Sequence, residues 1–207
     1  MSPAKPAVYV VDDDPSVRGA MKRLLKSVGL PVKTFASARE FLDQATPEWS
    51  GCLMVDLRMP GMGGLDLQYQ LNARQISLPV IFLTGYGTVP ASVRAMKAGA
   101  VDFLEKPVDD QTLLDAVHKA LERDRGAKRD QAEMQALHQR LAALTPREYE
   151  VLAFIISGRL NKQAAAALGT TEKTIKVHRA RIMEKLRCAS LAELVRLAEK
   201  AGIKTLD

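Results

Sequence analysis

The chain has 207 residues, 47% of them hydrophobic and 26% charged, with a formal net charge of +6. That length and balance fit one large folded domain or two small ones, and no apolar run approaches the roughly 18 residues that let a helix span a bilayer. Two widely separated cysteines, Cys52 and Cys188, exclude a disulfide framework and read as buried thiols of a reducing cytoplasm. The opening Met-Ser-Pro-Ala-Lys-Pro runs straight into an apolar stretch and lacks a signal-peptide core. Charge is divided unevenly. Residues 1–124 carry 14 Lys/Arg against 15 Asp/Glu, a net of −1, and residues 125–207 carry 16 against 9, a net of +7. A near-neutral half joined to a basic half suggests a control unit tied to a polyanion binder.

In chain order, Ala7–Val11 is a β-branched run that predicts a strand, followed by Asp12-Asp13-Asp14-Pro15. Asp14 caps the next helix, with Pro15 at its first position, and the apolar spacing Val17, Met21, Leu24, Leu25, Val28 ends at Gly29. Residues 31–35 predict a second strand, and Ser37 caps a short helix through Ala45. Cys52-Leu-Met-Val-Asp56 is apolar on every position up to its aspartate, as in a strand buried on both faces. A helix over about 64–73, a strand over 79–84, a helix over about 90–98, a strand over 100–104 and a helix from about Asp109 follow. Five strands alternating with helices predict an α/β fold, a doubly wound parallel five-stranded sheet.

Every unusual polar residue of this half falls just after a strand: Asp12 and Asp13, Asp56, Thr84, Lys106. In such a sheet those ends share one edge, where open α/β sheets place their ligands. A lone aspartate there more often forms a cap or a turn, but three of them would repel, by about 4 kcal/mol for a pair 4 Å apart at an effective dielectric near 20. Either one takes up a proton or a divalent cation bridges them, and hard oxygen donors suit Mg²⁺ or Mn²⁺. With the compact charge of Lys106 and the Thr84 hydroxyl, these are the parts that phosphoryl transfer to a carboxylate needs.

From about Leu121 to Leu144 the chain is highly charged and helix-permissive; Met134, Leu137, Leu141 and Leu144 form a short seam, Gly126 and the charges before it break continuity, and a partly helical linker with a few packed leucines is expected. Thr145-Pro-Arg-Glu148 is a capping box. A helix to Gly158, an alanine-rich helix from Asn161 to Leu168-Gly169, a third from about Glu172 to Leu186 capped by Thr171, and a fourth opened by Ser190 follow, and the middle pair has the lengths of a helix-turn-helix. On the third helix Lys173, Thr174, Lys176, Val177 and Ala180 take the outward, N-terminal part, suited to major-groove entry, with Ile175 and Ile182 inward. His178, Arg181 and Lys185 are placed to reach phosphates, and the face of Arg179 depends on the helix register. Leu191, Leu194, Val195 and Leu197 read first as core.

The set Asp12-Asp13, Asp56 before Leu-Arg-Met-Pro-Gly, Thr84-Gly85 and Lys106-Pro107 resembles the signature of response-regulator receiver domains over about residues 6–122. The resemblance implies that Asp56 accepts phosphate, that Asp13, Asp12 (through water), Asp56 and the Arg58 backbone carbonyl hold the metal, that Lys106 pairs with the phosphoryl group, and that Thr84 and Phe103 act as the switch. Tyr86 and Thr88 stand where close relatives often carry His and Asp, so Tyr86 is expected to overhang the pocket and alter phosphate lifetime. Leu144-Thr-Pro-Arg-Glu-Tyr-Glu-Val-Leu152, Asn161-Lys162 and Thr174-Ile-Lys-Val-His-Arg179 are similar to the LuxR-type helix-turn-helix over about 144–202, with Ala164 smaller than the usual aliphatic.

Together the two resemblances imply a FixJ/NarL-type response regulator: a receiver over 1–122, a linker over 123–143 and a DNA-binding domain over 144–207. A sensor histidine kinase, double-stranded promoter DNA and a second copy of the chain on phosphorylation are the implied partners, with RNA polymerase a further candidate and no membrane. Two rivals stand beside this. A phosphatase of the aspartyl-phosphate type would need a carboxylate at position 58, which is Arg; a regulator independent of phosphate would keep regulated DNA binding without Asp56.

Overall fold

The protein's structure, a computed structural model, describes residues 6–85 and 89–203. Residues through Lys128 form one compact unit and those from Arg129 a second.

In the first unit the order is β1 (Ala7–Val11), α1 (Pro15–Ser27), β2 (Val32–Phe35), α2 (Ala38–Gln44), β3 (Gly51–Asp56), α3 (Gly64–Ala73), β4 (Val80–Thr84), α4 (Val89–Lys97), β5 (Asp102–Glu105) and the start of α5 (Asp110–Ala142). All pairings are parallel and the strand order is β2-β1-β3-β4-β5. The pleat sends alternate residues to opposite faces. Tyr9, Val11, Leu53, Val55 and Phe82 pack with Phe41, Leu67 and Leu71 on one side. Val8, Val10, Cys52, Met54, Ile81 and Leu83 pack with Leu25, Leu113, Val117 and Leu121 on the other. Both faces are therefore covered, which is why these strands read as unbroken apolar runs. Both cysteines are buried and free.

The caps follow the sequence: Asp14 accepts from the Ser16 amide and Ser37 from the Glu40 amide. The strand expected over 100–104 lies slightly later, at Asp102–Glu105. Gly99 takes a positive φ of 92°, and Ala100 is still bonded back to Ala95, so the chain turns for one residue more before pairing.

The largest departure is α5. A partly helical linker was expected; the helix instead runs unbroken past Gly126 to Ala142. A glycine inside a helix costs about 1 kcal/mol, and the surrounding Ala, Leu, Glu, Lys and Arg offset that.

In the second unit, α6 (Pro146–Ile156), α7 (Asn161–Ala167), α8 (Glu172–Leu186) and α9 (Leu191–Lys200) surround a core of Val151, Leu152, Ile155, Ala164, Ile175, Ile182, Leu186 and Leu194. The Thr145–Glu148 capping box is present in both directions. Leu191, expected in the core, is 46% exposed; it is the first residue of α9 and Leu194 takes the inward position.

Among the described residues, no helix is long and apolar enough to cross a membrane.

Candidate functional site

The strand order reverses direction between β1 and β3, and in open α/β sheets the crevice beyond the carboxyl ends at such a point receives ligands. Asp12 and Asp13 follow β1 directly, Asp56 is the last residue of β3, Thr84 the last of β4, and Lys106 follows β5. All five line one cavity of about 280 Å³, together with Asp14, Val17, Arg58 and Gly85.

The backbone must come close here. A Cβ on Gly64, the first residue of α3, would lie 2.6 Å from the Asp56 carbonyl oxygen, so only glycine lets α3 start against the end of β3.

Lys106 organises the acids. Its Nζ donates to Asp12 Oδ2 at 2.7 Å and to Asp56 Oδ1 at 2.6 Å. The remaining oxygens are also engaged: Asp12 Oδ1 accepts from the Asp14 amide at 2.9 Å and Asp56 Oδ2 from the Arg58 amide at 2.7 Å. Burial works to lower the Lys106 pKa, but the hydrogen bonds it donates to Asp12 and Asp56, with their negative charge, outweigh it and the group lies above its ordinary value, so the ammonium stays charged at neutral pH. The ammonium of Lys106 between Asp12 and Asp56 offsets part of the repulsion expected between them.

Asp12 is 1% exposed and Asp56 8%, while Asp13 is exposed at the cavity mouth. Of the four aspartates that line the cavity, Asp12, Asp13 and Asp56 supply the hard oxygen donors that a magnesium-sized cation takes. Among the described residues, however, no three acids stand close enough to form a ready ligand group. The donor chemistry fits a divalent cation, and Lys106 holds two of the carboxylates on one side of the cavity.

Thr84 is buried. Phe103, on β5, is half-buried with its ring centroid 6.2 Å from that of Phe82, against the side of the sheet that holds Tyr9, Leu53 and Phe41. Tyr86 and Thr88 lie outside the described residues. Arg18, which the sequence reading did not single out, donates to the Asp12 carbonyl at 2.7 Å; one turn into α1, it carries no sequence signal beyond its charge.

In the second unit, Lys173, Lys176, Val177, Ala180 and Arg181 are exposed along one face of α8, with Val177 44% exposed, while Ile175 and Ile182 are buried. Thr174 is half-buried and its hydroxyl shares a 2.9 Å hydrogen bond with that of Thr171. His178 and Arg179 are half-buried, and His178 Nδ1 is enclosed without a hydrogen-bond partner among the described residues.

Lys185 departs from expectation. It turns inward, donating to Glu148 Oε2 at 2.6 Å and to the Ala143 carbonyl at 3.0 Å, because Glu148 is 2% exposed and needs a charge partner. The Lys185 ammonium and the Thr145 amide hold the Glu148 pKa down at about 2. A carboxylate depressed in this way contributes stability that is complete above its ordinary 4.5 and is lost as the pH falls through about 2. Acid titration followed by helix content should therefore show the second unit weakening across that interval. Glu148→Gln should flatten this dependence and cost about 2 kcal/mol at neutral pH; an unchanged acid limb in the variant would assign the dependence to another group.

Residues 8–118 match the family described as response regulator receiver domain, and residues 142–198 that described as bacterial regulatory proteins, luxR family. Nodulation protein W of Bradyrhizobium diazoefficiens is 48% identical over 199 residues, covering 96% of this chain and 88% of that protein. Transcriptional regulatory protein FixJ of Azorhizobium caulinodans is 44% identical over 200 residues, covering 97% and 95%. The low-resolution structure of response regulator StyR superposes with a TM-score of 0.88 at 49% identity, covering 95% of this chain and all of that one. With an acid-lined switch-point cavity on one unit and a helix-turn-helix on the other, the chain belongs to the FixJ-type response regulators, transcriptional regulators of two-component systems that join a receiver domain to a LuxR-type DNA-binding domain.

Proposed function

We propose that the chain is phosphorylated on Asp56 by a sensor histidine kinase and that this controls its grip on promoter DNA. The observation that carries the reading is the double contact of Lys106 with Asp12 and Asp56 inside the switch-point cavity. It holds the acceptor carboxylate at hydrogen-bonding distance from the cation that would neutralise a phosphoryl group.

In the transfer, an Asp56 oxygen forms a bond to phosphorus as the bond from phosphorus to the donor's imidazole nitrogen breaks; the electron pair leaves with the imidazole, which takes up a proton. The Arg58 amide fixes the carboxylate's orientation, Lys106 exchanges a carboxylate contact for a phosphoryl oxygen, and the buried Thr84 hydroxyl lies at the end of the neighbouring strand to receive another. Asp12, Asp13, Asp56 and the Arg58 carbonyl would hold Mg²⁺ or Mn²⁺, which when bound neutralises charge on the transferred group. Thr84 and Phe103 are the proposed switch pair. The site turns over its own phosphate and no external substrate.

Val93 and Met96 are both exposed on α4, which supports a homodimer formed through the α4–β5–α5 face on phosphorylation. RNA polymerase is a further partner in this reading, the location is cytoplasmic, and the proposed division is receiver 1–122, helical connection 123–143 and DNA-binding domain 144–207.

Lys173, Thr174, Lys176, Val177 and Ala180 are the proposed groove contacts, with Arg181 on phosphate and His178 at the margin of that surface. Lys185 is left out of the phosphate set by its pairing with Glu148. Replacing Arg181 by Ala should weaken DNA binding by a similar factor on all sequences, lowering the salt slope by about one. An effect confined to one base position would make it a base reader instead.

The proposal is tested by treating the full chain with a small phosphodonor and Mg²⁺ and locating the added mass. Modification at Asp56 is expected; modification elsewhere, or none, would reject it.

A further inference from the structure

The last turns of α5 belong to the second compact unit, and the leucines of that charged stretch are where it packs. Leu137 is 3% exposed, and Leu141 and Leu144 pack against the core built from α6, α7, α8 and α9. Between them, Arg140 reaches the end of α8: its Nη1 donates to the Leu186 carbonyl at 2.9 Å. Leu186 is the last residue of α8, and the final carbonyls of a helix have no partner within it. A guanidinium there also meets the negative end of the helix dipole.

The next residue shows how firmly this corner is made. Arg187 takes a positive φ of 55°, a backbone conformation that side-chain-bearing residues rarely adopt. Its amide and that of Cys188 are bonded back to Glu184 and Met183. Two residues before Arg187, Lys185 is tied to the Ala143 carbonyl and to Glu148. The carboxyl end of α8 is thus fixed to residues 140–148, while its exposed amino-terminal face carries Lys173, Lys176 and Val177. A 15-residue helix moves as a rod, so fixing one end sets the angle at which the other is presented.

We propose that Arg140 is a positioning residue for DNA recognition. Through the Leu186 carbonyl it sets the orientation of α8 and passes to that helix any displacement of the end of α5, the segment by which the receiver is joined to the DNA-binding unit. The inference rests on the reading of α8 as the helix that enters the groove.

The test uses the full chain and a duplex selected from a random library by the phosphodonor-treated wild type. Arg140→Met keeps the apolar stem and removes the donors; Arg140→Lys keeps a cation that can reach a single carbonyl. Arg140→Met is expected to take up phosphate like the wild type and to bind the duplex about tenfold more weakly, the loss of one charge-assisted hydrogen bond. Amide exchange should quicken at Arg187 and Cys188 while the protection of α6 and α7 persists, and Arg140→Lys should recover most of the affinity.

Wild-type affinity in Arg140→Met would overturn the proposal. So would weakened binding with exchange protection lost throughout α6 to α9, which would make Arg140 a general stabiliser. A wild type whose affinity ignores the phosphodonor rejects the switch alone, because the ratio of variant to wild-type affinity is read in either form.

Discussion

Asp56→Asn will take up no phosphate and will leave DNA affinity unresponsive to a phosphodonor, the largest functional loss expected of any single substitution. Asparagine keeps the shape and can still accept the Arg58 amide, which the wild-type carboxylate accepts at 2.7 Å, and Lys106 keeps its bond to Asp12. Thermal stability should therefore change by no more than about 1 kcal/mol. What disappears is the nucleophile and with it the free energy that shifts the population; moving a two-state protein from 1:99 to 99:1 takes about 5.5 kcal/mol. Radiolabel uptake and duplex binding measured on the same preparation check this. An Asp56→Asn protein that still binds DNA in a regulated way would favour the phosphate-independent alternative.

Lys106→Met carries the second large effect. Methionine preserves the side-chain length while leaving Asp12 and Asp56 facing each other in a largely buried cavity with no cation between them. Like charges at about 4 Å cost ~4 kcal/mol at an effective dielectric near 20, so one carboxyl will hold a proton to higher pH than it otherwise would. A carboxyl raised in this way adds stability at low pH and loses it as the pH rises through its new value. The variant should therefore be most destabilised at neutral pH and approach the wild type on acidification. Phosphate uptake should fall about a hundredfold, the usual consequence of removing one preorganised electrostatic partner. Denaturant titrations at several pH values and the labelling rate check both limbs; a variant labelled at the wild-type rate would remove Lys106 from the transfer step.

Much of the receiver was legible in the sequence because its strands are buried on both sides. The Cys52–Val55 run has no polar position to disguise it, and on the central strands β1, β3 and β4 the polar residues of the site fall at or just past the carboxyl ends. Capping residues fixed helix starts to within a residue at Pro15, Ala38, Pro146 and Leu191. The packed leucines of α5 were legible as a short seam, but its unbroken helix was not, since Gly126 and the charges before it read locally as a break while Leu141 and Leu144 find a core to pack on. Nor was the fate of the acidic repulsion: spacing placed Asp12, Asp56 and Lys106 on one edge, but only the folded geometry puts one ammonium between two carboxylates. Lys185 was misread for the same reason. On a basic helix it looks like its neighbours, and the signal that separates it is Glu148, a buried capping-box acid whose Oε2 accepts from both the Thr145 amide and Lys185. Arg140 gave no signal at all, because a backbone carbonyl as partner leaves no mark in the sequence.

The central claim is that the chemical state of the switch-point cavity governs a separate groove-reading unit. The most direct measurement titrates the duplex affinity of the full chain against the fraction of Asp56 phosphorylated, with the fraction read by mass on the same samples. The account predicts that affinity climbs with that fraction. An affinity that stays constant from unmodified to fully phosphorylated protein would contradict it.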